Sequence, residues 1–174
     1  VTRNGDFRDA NATGILWDIN NKKNTYNTFG SLKGSWVMDG ETKFGTKGEL
    51  GFAKISGKNR FNINGNVTTK DWDINDVGFS TRTNFGNYNA WYGYRILQPT
   101  KTFNNMYLNF NLNYFHRLEP FIFQNLIFNN NNSFTDKNFR VFGGGIEFTP
   151  FTQNDIYEPR TFGRHLQVPK YFDS

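Results

Sequence analysis

A chain of 174 residues with a net charge of +5 and no cysteine is long enough for one domain. It lacks every chemistry that needs a thiolate, from disulfides and thiol catalysis to cysteine-ligated zinc and iron–sulfur clusters. A mean hydropathy of -0.69 goes with the lack of any run near the roughly 20 apolar residues of a membrane-spanning helix. The 20 Phe, 8 Tyr and 4 Trp are too much ring surface for a disordered chain. Basic residues are scattered, with the densest pair, Lys22-Lys23, in a turn, so no patch marks a nucleic-acid partner.

Apolar residues recur with period two, and no stretch carries convincing helix start signals. Taken in chain order, strands are expected over 10–19, 25–39, 42–56, 59–69, 86–97, 105–118, 121–130 and 137–149. Turn chemistry separates them: Asn20 to Asn24, Asp39-Gly40-Glu41, Gly57-Lys58-Asn59, Pro99-Thr100-Lys101, Glu119-Pro120 and Asn129 to Ser133, the last read as an exposed loop. The clearest alternation sets Met106, Leu108, Phe110, Leu112 and Tyr114 against Asn109, Asn111 and Asn113. Residues 60–68 set Phe61, Ile63, Gly65 and Val67 against Arg60, Asn62, Asn64, Asn66 and Thr68. The expected fold is all-β: an antiparallel meander of about eight strands, in a single region 1–174 whose strands span about 10–149 and whose tail, 150–174, is extended.

Such a meander fits a soluble barrel or sandwich with its apolar face inward, or an outer-membrane barrel with that face toward lipid. The asparagine-rich face, on which Lys33, Arg60 and Arg95 are read as mid-strand residues, favours the wall of a hydrated lumen. Glycines dispersed through strands, among them Gly30, Gly34, Gly45, Gly48, Gly51 and Gly143 to Gly145, permit bends or close approach. Trp17, Tyr26, Trp36, Tyr94 and Tyr114 are expected near strand ends, at headgroup level, or as ordinary core aromatics. The lumen-facing set is thus Lys33, Arg60, Asn62, Asn64, Asn66, Arg95, Asn109, Asn111 and Asn113. The lipid-facing set is Phe61, Ile63, Leu108, Phe110 and Leu112.

The segment Asp71-Trp72-Asp73-Ile74-Asn75-Asp76-Val77-Gly78-Phe79, followed by Trp91-Tyr92-Gly93-Tyr94-Arg95, resembles the barrel region of a Bacteroidota outer-membrane family of poorly defined function. In that family a carbohydrate-binding-family-9-like domain precedes the barrel. The closing Tyr157-Glu158-Pro159-Arg160, Gly163-Arg164 and Pro169 are similar to a later segment of the same barrels. The resemblance singles out Trp72, Asp73, Asn75, Asp76, Gly78, Phe79, Tyr94 and Arg95, and implies bacterial outer-membrane localisation. The family's sugar-binding-like domain has no counterpart here, and the tail Tyr171-Phe172-Asp173-Ser174 lacks a closing aromatic strand. This chain is therefore expected to be part of a larger barrel, its first strand pairing outside these 174 residues.

Asp71, Asp73, Asn75 and Asp76 are weak candidates for Ca²⁺, because an EF-hand loop needs Gly at position six and Glu at twelve, where Asp76 and Arg82 stand. An Asx-rich turn is the alternative. His116 and His165 have no ligand partners at metal spacing, and no Gly-x-Ser-x-Gly nucleophile elbow is present. No catalytic residue, metal or cofactor is therefore expected. The expected function is an outer-membrane scaffold, channel or component of an uptake or export complex, without catalysis. Its partners would be membrane lipid and other outer-membrane chains or the remainder of its own barrel, with polysaccharide or small polar solutes as cargo. The alternative is a soluble all-β carbohydrate-binding module that stacks sugars on Trp and Tyr.

Overall fold

The computed structural model describes residues 8–76, 78–80, 82–156, 158–159, 161 and 163–173. Val77, Tyr157, Arg160 and Ser174 of the motifs above lie outside these residues. Eight long strands follow in order: β1 (Asp9–Asn20), β2 (Tyr26–Asp39), β3 (Glu41–Lys54), β4 (Asn59–Thr68), β5 (Phe85–Ile96), β6 (Phe103–Arg117), β7 (Ile122–Asp136) and β8 (Val141–Thr149). Three short ones complete the set: β9 (Gln153–Asp155), β10 (Leu166–Val168) and β11 (Tyr171–Asp173). There is no helix among the described residues.

Every long strand pairs antiparallel with its sequence neighbours, and β11 adds to the free side of β8, so one sheet has the order β1-β2-β3-β4-β5-β6-β7-β8-β11. The β9–β10 ribbon is separate. The sheet is open among the described residues. Among the described residues β1 pairs with β2 alone.

Two local expectations are corrected. Asn129 to Ser133 are not a loop but the middle of β7, because their backbones pair with β6 on one side and β8 on the other. The turn lies instead around Lys137–Arg140, where the Asp136 carboxylate accepts hydrogen bonds from the backbone N–H groups of Asn138 and Arg140. Arg60 and Arg95 sit near strand ends, not mid-strand. The tail, expected to be extended, contains the short strands β9, β10 and β11.

Residues opposed across a ladder point to the same face, and the registers therefore sort the side chains. One row across the sheet runs Ile19, Thr28, Phe52, Ile63, Ala90, Leu112, Phe128, Phe148 and Phe172. It starts near the C-terminal end of β1 and reaches β8 also near its C-terminal end, although the two strands run in opposite directions. The strands are thus staggered by most of a strand length, the kind of shear a tilted barrel wall uses.

The row's face carries most of the large apolar side chains of the strands and leaves many of them bare, while Leu16, Phe29, Phe85, Trp91, Phe115 and Ile127 belong to the other face. Ile15 is 71% exposed, Leu32 62%, Leu50 62%, Ile63 58%, Phe110 48% and Phe148 41%. The opposite face carries the buried groups Ser31, Ser35, Thr68, Thr149, Val37 and Ala53. This distribution inverts that of a water-soluble sheet, whose apolar face is the one covered. Glycines let rings lie down on the bare face. A Cβ on Gly30 would stand 2.3 Å from the Trp17 ring, and one on Gly65 would stand 2.6 Å from the ring of Tyr88. In both cases the ring comes from the residue directly opposite.

Valine at Gly30 would press on the Trp17 ring and also on the Glu49 carbonyl oxygen, 2.5 Å away. Gly30→Val should cost about 1–3 kcal/mol, whereas Gly144→Val, with nothing within 4 Å, should be near neutral. Denaturant midpoints of the two variants check this difference.

Candidate functional site

The covered face is a field of amides. Asn62, Asn64 and Asn66 of β4 stand beside Asn87 and Asn89 of β5, then Asn109, Asn111 and Asn113 of β6, then Asn129 and Asn131 of β7. They bind one another. Asn64 donates to Asn62 at 2.9 Å, Asn89 to Asn64 at 3.2 Å, Asn113 to Asn87 at 3.0 Å and also to Asn89, and Asn111 to Asn129 at 3.3 Å. The Trp91 indole donates to the Asn109 side-chain carbonyl at 3.3 Å. An amide both donates and accepts, so such a ladder satisfies itself while keeping capacity for water or a polar solute.

The register puts Lys33, Arg60, Asn62, Asn64, Asn66, Arg95, Asn109, Asn111 and Asn113 together on this face, and Phe61, Ile63, Leu108, Phe110 and Leu112 on the bare one. Trp17, Tyr26, Trp36, Tyr94 and Tyr114 share the bare face and lie within four residues of a strand end. Lys47, which the sequence pattern did not single out, stands directly opposite Lys33 and makes that part of the covered face basic. Asn130 and Asn132 fall on the bare face, also unforeseen. They tolerate it by exchanging hydrogen bonds with each other, and Asn130 donates further to the Asn109 backbone carbonyl at 2.9 Å.

Short turns close one end of the sheet; the other, the loop end, gathers residues 69–84, the 118–121 turn and the segment after β8. The 69–84 loop folds over the covered face. Gly45 makes room for it, since a Cβ there would stand 2.2 Å from the Trp72 backbone nitrogen, and the Trp72 side chain is 4% exposed. The Asp73 N–H donates to the Ser35 hydroxyl at 3.1 Å. Thr69 pins the start of the loop, its hydroxyl bonding both the N–H and the carbonyl of Thr46. Asn84 pins the end by exchanging hydrogen bonds with the Glu119 backbone, and Lys70 forms an ion pair with Glu119 at 3.0 Å.

Within the loop, the Asp73 carboxylate accepts from the Asn75 N–H and side-chain amide, both at 2.9 Å, and from Arg8 at 3.0 Å. Arg8 also reaches Asp76 at 2.9 Å. This is the Asx-turn arrangement, with a cation that sequence spacing could not reveal because Arg8 lies 65 residues from Asp73. Gly78 and Phe79 follow, Phe79 being 83% exposed, while Asp71 lines a separate cleft at the loop end with Lys70, Arg117 and Arg164. Tyr94 and Arg95 of the motif lie far from the loop, near the C-terminal end of β5. The guanidinium of Arg95 lies 5.4 Å from the Trp91 ring centre.

His116 is a packed aromatic residue, 7% exposed, stacked on Tyr88 and against Phe121, with Nδ1 donating to the Arg117 carbonyl at 3.0 Å. No group of three or more His, Cys, Asp or Glu with metal-holding geometry occurs among the described residues. A cavity of about 490 Å³ opens in the covered face at the loop end. Its lining includes Arg82, Asn87, Asn113, Phe115, Gln124, Asn125, Asn154, Asp155 and Glu158. Gln153, Asn154 and Asp155 of β9 wall one side, held by the Asn154 amide, which donates to the Phe123 carbonyl at 2.9 Å.

A family model described as a domain of unknown function, DUF5916, matches residues 1–174. The chain belongs to this DUF5916 family. No curated protein and no solved structure matches it. In this DUF5916 chain, the described residues of the motif Trp72 to Phe79 form part of a loop anchored on the covered face.

Hydrogen bonds from Asn75 hold the Asp73 carboxyl below the usual carboxylate range, and Arg8 adds to them against the opposing effect of partial burial. A lowered carboxyl contributes stability that is complete above its unfolded value, about 4, and is lost as pH falls through the folded value. Loop 69–84 should therefore resist limited proteolysis equally from neutral pH down to about pH 5, and open below about pH 4. Asp73→Asn should be more readily cleaved at neutral pH and show a weaker pH dependence. EDTA should leave the melting temperature unchanged, as mass action requires if no ion holds the fold.

Proposed function

We propose that this chain forms wall of a bacterial outer-membrane β-barrel, with its bare face toward lipid and its amide face toward a hydrated lumen. It would serve as scaffold, channel or component of an uptake or export complex, without catalysis. The observation that carries this reading is the inverted sheet: each of β1 to β8 contributes exposed large apolar side chains to one face, while the amides and small polar groups occupy the covered face. A water-soluble monomer rarely exposes more than a few hundred Å² of contiguous apolar surface. In hydrocarbon the same face is at rest.

Strand length supports the reading. The long strands run from 9 residues in β8 to 15 in β6 and β7, against the 9–11 or so that a tilted strand needs to cross a bilayer. Hydrocarbon tolerates no unpaired sheet edge. The sheet's end strands, β1 and β11, have no second neighbouring strand among the described residues, and on this reading further strands or another outer-membrane chain would complete the wall there. The Bacteroidota barrel family that the Trp72 to Phe79 motif resembles fits this placement. Its lumen would be hydrated by the asparagines and made mildly basic by Lys33 and Lys47, favouring polar or anionic solutes.

A soluble sugar-stacking module would present a bounded ring platform with a polar rim. Here the apolar surface crosses all eight long strands, which favours lipid as its neighbour. Phe110→Arg should destabilise the folded chain in phospholipid vesicles by about 2–4 kcal/mol near the midplane, while Asn111→Arg on the opposite face should cost less than about 1 kcal/mol. Denaturant titration of the two variants in vesicles measures both. Equal costs at the two positions would contradict the membrane placement.

A further inference from the structure

The cavity at the loop end holds an unanswered pair of hydrogen-bonding groups. Gln124 is 4% exposed and lines the cavity, yet its Nε2 has no hydrogen-bond partner among the described residues, and neither does the Oδ1 of the adjacent Asn125. One is a buried donor and the other a buried acceptor. Both stand where the β6–β7 ladder slips: Phe115 pairs with Asn125 and His116 with Phe123, leaving Gln124 as the extra residue. Bulges re-aim side chains and are common beside functional sites. A buried amide left unpaired destabilises a fold, and here the two residues that carry these atoms line the same cavity.

We propose that this cavity binds a neutral, hydroxyl-rich ligand of the saccharide class, with Gln124 Nε2 donating to one ligand oxygen and Asn125 Oδ1 accepting from a ligand hydroxyl. A hydroxyl group donates and accepts, and so answers both atoms. The volume of about 490 Å³ falls in the range of small-molecule sites. Asn87, Asn113 and Asn154 extend the amide lining, which an apolar ligand would leave desolvated and unpaired. Arg82 is outnumbered by Asp155 and Glu158 in the lining, so the fixed charges disfavour an anion. Peptides usually dock by adding to a sheet edge, whereas β5, β6 and β7 are interior strands. The site belongs to the covered face whatever lies against the bare one, so it does not depend on the membrane reading.

The test is titration of the full chain in a polyoxyethylene detergent, whose headgroup carries no sugar ring, monitored by saturation-transfer NMR and calorimetry. The probes are glucose, N-acetylglucosamine, maltotriose and cellotriose, with glucuronate as the anionic comparator and tetra-alanine as the peptide one. At least one neutral sugar should bind saturably with millimolar or tighter affinity. Gln124→Leu should weaken that binding at least tenfold while raising the denaturation midpoint, because it removes an unpaired buried amide. Gln124→Glu, which keeps the size and replaces the Nε2 donor by an oxygen, should lose affinity too and serves if the leucine variant does not fold. The proposal is overturned if no neutral sugar saturates, if only glucuronate or the peptide does, or if the folded Gln124 variants keep the wild-type affinity. None of these outcomes bears on the lipid placement tested by Phe110→Arg.

Discussion

The antiparallel backbone ladder holds this molecule together, because side-chain burial supplies little. The buried apolar residues among those described are Ala10, Val37, Ala53 and Trp72, too few to organise a domain of this length through apolar transfer. What is continuous is the pairing of eight long strands, each with its neighbour, over nearly its whole length. A structure built this way suits a solvent that offers no hydrogen bonds, where every N–H and C=O must be met within the chain. The apolar side chains of the bare face have no counterpart across a core, and on the proposed placement their neighbour is lipid.

The two faces then divide the work. On the bare face, aromatic and aliphatic groups face outward, and rings such as Trp17 and Tyr88 lie flat across glycines of the neighbouring strand. On the covered face, amides link strand to strand, and the loop carrying Trp72 and Asp73 is fastened down through Ser35, Thr46 and Arg8. Polarity is concentrated at the loop end, where Asn84 and Lys70 tie the 69–84 loop to the 118–121 turn and β9 walls the amide-lined cavity. On the proposed placement, chemistry that recognises a solute would belong on that side and contact with a membrane on the other.

Period-two alternation made most of this legible in advance. The apolar–asparagine alternation of residues 108–114 predicted both the strand and which side chains share a face, and turn residues such as Gly40 and Gly57, with φ of 72° and 83°, marked where the chain reverses. Asn129 to Ser133 misled because a run of asparagines has turn chemistry by composition. Only the long-range pairing with Asn109 and Asn111 makes it a strand, and local sequence carries no trace of that. The Arg8 partnership with Asp73 and Asp76, the facing of Lys33 and Lys47, and the bulge that isolates Gln124 likewise depend on register between distant segments. The candidate loop was readable as a motif; its anchoring and the cavity beside it were not.

The central claim is that the two faces meet different solvents, lipid and water, and the absence of cysteine allows a direct measurement. Single cysteines placed in turn at residues 106–115, spin-labelled and reconstituted in phospholipid vesicles, report local access to oxygen, which concentrates in lipid, and to a water-soluble nickel chelate. Oxygen access should peak at Leu108, Phe110 and Leu112 and nickel access at Asn109, Asn111 and Asn113, the two profiles alternating out of phase with period two. High nickel access at all positions, or oxygen access peaking on the asparagine face, would contradict the account.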